Sequence, residues 1–77
     1  MVIHKTQVNS CGPTLLPESA RIVKFAFKDG MPFIWYEHFG GYSVPYNLEI
    51  VGTGGHYIGK YIGTCFDGPY VWHLVEK

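Results

Sequence analysis

The segment Gly54-Gly55-His56-Tyr57-Ile58-Gly59-Lys60 has the G-x-x-x-x-G-K spacing of a phosphate-binding loop. In such a loop, backbone N–H groups cradle phosphate oxygens, the lysine reaches the terminal phosphates, and a Ser or Thr directly after it binds Mg²⁺. Here Lys60 is followed by Tyr61, and no helix follows whose first N–H groups would face the anion. The Walker reading therefore fails on both counts. A weaker device survives, because consecutive N–H groups of a glycine-rich turn can form an anion-binding nest. Thr53, His56 and Lys60 would then add donors around Gly54 and Gly55. A glycine-rich corner between two strands accounts for the same residues without any ligand.

Other chemistry finds less support. His4, His38, His56 and His73 are spread singly along the chain, with no partner at metal-ligand spacing, so no metal is expected. His73, between Trp72 and Leu74, reads as a partly buried, hydrogen-bonded residue rather than a ligand or a base. Neither a nucleophile elbow nor a Cys-His signature is present, and Glu18, Glu37, Glu49 and Glu76 are singly distributed. A non-enzymatic protein without a cofactor is the expectation.

Aromatic residues make up 17% of the chain, more than a small core can absorb, so some rings must reach the surface. Phe33 and Trp35 lie near Lys24 and Lys28, and Tyr70 and Trp72 stand close together near the end of the chain. Rings beside cations can stack a nucleobase and meet its phosphate. They also supply the hot spots of protein interfaces.

These residues are positioned by strands. Helical periodicity and caps are absent, whereas Asp29-Gly30 and Asp67-Gly68 each sit between β-branched and aromatic runs, the signal for a type I′ hairpin. Strands are predicted over 2–8, 14–16, 20–28, 31–39, 44–51, 61–66 and 69–76, with breaks at the glycine- and proline-rich stretches between them. The expected fold is a single all-β domain over residues 1–77, a small antiparallel barrel or sandwich of about six strands built from the two Asp-Gly hairpins.

A two-residue turn dictates cross-strand partners. In the first hairpin it sets Phe27 opposite Pro32, Phe25 opposite Ile34 and Val23 opposite Tyr36 on the core face. Lys24 opposite Trp35, Ala26 opposite Phe33 and Ile22 opposite Glu37 occupy the other face. In the second it sets Cys65 opposite Tyr70, Tyr61 opposite Leu74, and Gly63 opposite Trp72, where an indole would shield a bare backbone. Both faces of this second ribbon are apolar, so one of them calls for a cover from outside its own sheet: a second copy or a ligand.

Six Lys and Arg balance six Asp and Glu, with no block of like charge, which disfavours nonspecific binding to any nucleic acid, DNA or RNA, and to acidic lipid. Apolar runs are far shorter than the roughly 20 residues of a bilayer span, and the amino terminus lacks a signal-peptide core, so a cytoplasmic location is expected. Cys11 and Cys65 belong to no paired motif and read as free thiols.

Several motifs together resemble a family of small, functionally uncharacterised proteins carried by phages and prophages. They are I-H-K at Ile3, L-P-x-x-A-R-I-V from Leu16 to Val23, D-G-M-P-x-I-W from Asp29 to Trp35, and I-V-G-T-G from Ile50 to Gly54. Y-I-G-T from Tyr61 and G-x-x-V-W-H-L-V-E from Gly68 to Glu76 complete the set. The chain departs from the resemblance after Gly54, where relatives are longer and more polar. The resemblance implies an accessory factor acting in the host cytoplasm. Combined with the residues above, it suggests a homo-oligomeric, counter-defence binder of a small signalling nucleotide, with Trp35, Trp72, Lys24, Lys60 and the Thr53–His56 loop as contacts. The competing expectations are an inhibitor that occludes a host protein, or a minor virion component.

Overall fold

The computed structural model describes residues 1–77, which form eight strands and no helix. In chain order these are β1 (Val2–Gln7), β2 (Thr14–Pro17), β3 (Arg21–Lys28), β4 (Met31–His38), β5 (Ser43–Tyr46), β6 (Leu48–Gly52), β7 (Lys60–Asp67) and β8 (Tyr70–Glu76). They pair into three antiparallel sheets with strand orders β1-β4-β3, β2-β5 and β6-β8-β7. The protein is all-β as expected, but the strands number eight rather than about six, and no sheet closes into a barrel. The one strand beyond the seven predicted segments arises at Asn47, where the segment expected to be one strand leaves its pairing with β2 and joins β8 instead. The Asn47 carbonyl accepts the Lys77 N–H at 2.8 Å, which ties the crossing point to the end of the chain.

The first hairpin turns as its sequence dictates. Asp29 and Gly30 both have positive φ, 54° and 77°, as a type I′ turn requires. The predicted partners hold from Lys28 and Met31 back to Lys24 and Trp35. Beyond them the register shifts between Ile22 and Lys24, so that Ile22 rather than Val23 faces Tyr36, and Arg21 rather than Ile22 faces Glu37. Val23 is the extra residue of a bulge, which leaves Ile22 packed against the core and Val23 43% exposed.

The second hairpin differs from expectation. Its innermost pair is Asp67 with Tyr70, so the turn residues are Gly68 and Pro69. A type I′ turn at Asp67-Gly68 would close through the N–H of residue 69, which proline lacks. With Gly68 at φ 59°, the turn moves one residue on and closes through Tyr70 instead. As far as Gly63 the resulting slip is two residues, so side chains keep their face and only their partners change: Cys65 faces Trp72 and Gly63 faces Leu74. Beyond Gly63 a register shift sets Tyr61, expected opposite Leu74, opposite Val75 and so on the other face. The glycine beneath the indole is therefore Gly52, which pairs with Trp72 from β6. A Cβ at Gly52 would touch the indole at 3.6 Å.

Val8, Leu16, Phe25, Ile34, Leu48, Cys65 and Leu74 form the core, drawn from all three sheets. β3 and β7, edge strands of two different sheets, run next to each other. Both register shifts lie along this seam, and Val23 and Ile62 line a cleft of about 390 Å³ between the two strands.

The outer face of the second ribbon is covered in part by the chain itself. Val51 and Val75 are buried, at 9% and 0% exposure, yet lie outside the main core cluster. The glycine-rich loop after β6 folds onto this side, with Gly55 so close to Val51 that a Cβ would overlap its methyl group. Toward the turn the ribbon is bare, with Phe66 74% and Tyr70 59% exposed.

Cys65 is buried and free, while Cys11 is exposed. Burial pushes the Cys65 thiol up, a hydrogen bond from the Phe27 backbone pulls it back, and the Asp67 charge adds to the rise. With a disulfide reagent at pH 8, one thiol per chain is expected to react at once and the second only at the rate of opening. Two fast thiols would contradict the buried position of Cys65.

Candidate functional site

The most distinctive surface is the outer face of the β1-β4-β3 sheet. Side chains alternate along a strand, so Phe33, Trp35 and Glu37 of the central strand β4 share this face. β1 sets Lys5 opposite Trp35 and Gln7 opposite Phe33, and β3 sets Lys24 opposite Trp35 from the other side. Lys24 Nζ stands 5.1 Å from the Trp35 ring centroid, and Lys5 Nζ stands 5.2 Å from that of Phe33. Both ammonium groups are within cation–π range and remain exposed to water.

Arg21 and Lys28 complete the face, so four of the chain's six cationic side chains lie on it. Its three strands carry a single acid, Glu37, which Arg21 pairs at 3.4 Å. A chain without net charge thus presents a surface with an excess of three positive charges. The centre of the face is open, because neither Phe33, Trp35 nor Lys5 lines any of the principal clefts, although Lys24 and Arg21 at its β3 edge each border one.

The other residues expected at a site are distributed elsewhere. Thr53, Gly54 and Gly55 lie over the outer face of the β6-β8-β7 sheet, where a cavity of about 210 Å³ opens between Gly52, Gly54, Gly55, Tyr57, Tyr61 and His73. The Gly55 N–H is spent on the Gly52 carbonyl at 3.0 Å, which removes one donor from the expected nest. His56 lines a neighbouring cleft with Glu49, Ile58 and Lys77. Lys60 opens β7, opposite Glu76 and beside a cleft it shares with Arg21 and Tyr46. Trp72 stacks between Phe27, at 5.7 Å, and Tyr70, at 6.0 Å, and its indole N–H is buried without a partner. Of the eight residues, Trp35 and Lys24 come together, Thr53, Gly54 and Gly55 come together, and His56, Lys60 and Trp72 join neither group.

Two histidine networks have partners that the sequence did not indicate. His73 is hydrogen-bonded at both ring nitrogens, to Thr53 Oγ1 at 3.0 Å and to Thr64 Oγ1 at 2.8 Å, and Tyr61 bonds Thr64 in turn. The imidazole fastens the glycine-rich loop to β7 and β8, in keeping with the hydrogen-bonded role expected of it. At the far edge of the first sheet, the Gly40 N–H donates to His38 Nδ1 at 3.0 Å. In a neutral ring that leaves the proton on Nε2, which donates to His4 Nδ1 at 3.2 Å. No group of three or more His, Cys, Asp or Glu side chains converges as a metal cage would require.

Fold and surface together define a small all-β domain with one cationic, ring-bearing sheet face. The whole chain, residues 1–77, matches a family described as a domain of unknown function, DUF7352, and the protein belongs to that family. No curated protein and no solved structure matches it. There is no helix long and apolar enough to cross a membrane.

Proposed function

We propose that the protein is a non-enzymatic binder that recognises nucleotide chemistry, bases and phosphates, on the outer face of the β1-β4-β3 sheet. The observation that carries this reading is Trp35, set between Lys24 and Lys5 and beside Phe33. When the Lys24 and Lys5 ammonium groups swing off the Trp35 and Phe33 rings they lie over, each ring offers its face to a base of any identity, and the displaced cations answer the phosphate charge. In the setting implied by the resemblance, the protein acts as a phage accessory factor in the host cytoplasm, withdrawing a nucleotide-bearing molecule from the host's defence by stoichiometric capture.

The test is a thermal-shift panel of mono-, di- and oligonucleotides on the full chain. A ligand present at 100 times its Kd adds about 2.7 kcal/mol of stability, which raises Tm by roughly 10–20 °C in a domain of this size. Trp35→Ala is expected to shrink the shift at the same ligand concentration while far-UV circular dichroism stays unchanged. Absence of any shift across the panel would overturn the reading.

A second reading, contact with a protein, is favoured by the bare tip of the second hairpin. Phe66 and Tyr70 are the exposed rings there, one on each face of the ribbon, and a second copy or a host protein would dock by gripping the tip between them.

A further inference from the structure

The open sheet face differs from a pocket in what it can hold. A free small molecule binds tightly where concave walls remove most of its surface from water. None of the five principal clefts reaches Phe33, Trp35 or Lys5. A ligand held on a flat surface must gain its affinity from contacts repeated along its length.

Phe33 and Trp35 supply that repeat. They are two residues apart on one face of β4, which separates them by about 6.7 Å. That is roughly twice the 3.4 Å rise between stacked bases of a duplex strand. Two successive bases can each take one ring only if they have left their stack, and bases inside a duplex cannot lie flat on a protein ring at all. Lys5 on one flank of β4 and Lys24 and Lys28 on the other give the sugar–phosphate chain cations to follow on either side. Arg21 is already neutralised by Glu37.

We infer that this face binds a single-stranded nucleic acid of two or more nucleotides, with one base on Trp35 and the next on Phe33. The inference rests on the proposed function and narrows its ligand from nucleotide chemistry in general to a polymer. Neutrality of the whole chain does not oppose it, because the excess of three positive charges lies on the face itself.

The experiment is a fluorescence-anisotropy titration of labelled oligo(dT) and oligo(U) of one, two, four and eight nucleotides with the full chain, repeated at several salt concentrations. Affinity is expected to climb steeply from one nucleotide to four. With three lysines meeting phosphates, log K should fall against log salt with a slope of roughly −2. Phe33→Ala and Trp35→Ala should each weaken the octamer by about 5- to 150-fold. Should those ring substitutions disturb folding, Lys5→Glu with Lys24→Glu changes only exposed side chains and is expected to abolish octamer binding. A ligand that binds as tightly at one nucleotide as at eight overturns this inference and leaves the proposed function standing. No binding at any length overturns both. A preference for oligo(U) over oligo(dT) assigns the face to RNA, and the reverse assigns it to DNA.

Discussion

Leu74→Ala is expected to leave the chain largely unfolded at room temperature. Leu74 is fully buried in β8, the central strand of its sheet, between Ile50 of β6 and Gly63 of β7. Truncating a buried leucine costs about 2–5 kcal/mol, and the upper part of that range applies where neighbours cannot collapse into the void. A strand hydrogen-bonded on both sides is held in such a position. Against this loss stand nine buried hydrophobic residues, seven of them in the main core, and two free thiols in place of any disulfide. A single core in a chain of this length rarely supplies more than about 3–5 kcal/mol. Urea unfolding followed by circular dichroism checks the result. A cooperative transition at the wild-type midpoint would show that the packing around Leu74 contributes little.

Gly59→Ala is the second large effect expected, and its comparison with Gly63→Ala separates two uses of glycine. Gly59 has φ 128°, and a Cβ there would overlap the carbonyl oxygen of Glu76. The strained backbone costs about 1–3 kcal/mol. Forcing apart β7 and the end of β8 costs about another 1–3 kcal/mol. Gly63 has no atom within 4 Å of its would-be Cβ and an ordinary φ. Alanine there should be neutral or stabilise by about 0.4–1 kcal/mol, by restricting the unfolded chain. The pair is read by thermal melting: Gly59→Ala well below wild type, Gly63→Ala at or above it. The reverse order would mean that Gly63, not Gly59, is the close approach.

The two hairpins explain why some of the fold was legible in the sequence and some was not. At Asp29-Gly30 both turn residues tolerate positive φ and the next residue that must donate, Met31, has an N–H, so the register followed from the turn alone. It followed only as far as Lys24, because the bulge at Val23 adds a residue without any compositional mark. At Asp67-Gly68 the dipeptide was the same and the outcome was not. Pro69 carried the difference in plain view, since a proline cannot close the turn that the dipeptide alone suggests. The strand change at Asn47 left no trace in the alternation of Val44, Tyr46, Leu48 and Ile50, which runs on unbroken through it.

The same division holds for the candidate face. Lys24 with Trp35 was derivable because a tight turn makes them neighbours. Lys5 reaches the same rings through the pairing of β1 with β4, about thirty positions along the chain, and no local signal sets that register. The His4–His38 and Thr53–His73 contacts depend on pairings of the same long-range kind. Whole-chain neutrality concealed the charge excess because it sums over surfaces that the fold keeps apart.

That separation gives the molecule a permanent electric dipole moment despite its zero monopole. In dilute buffer, where the Debye length reaches tens of ångströms, copies will tend to align plus end to minus end, and added electrolyte will loosen them. The protein should therefore salt in, becoming more soluble as ionic strength rises toward physiological values, while the same electrolyte blunts the long-range torque that turns its positive side toward an approaching polyanion.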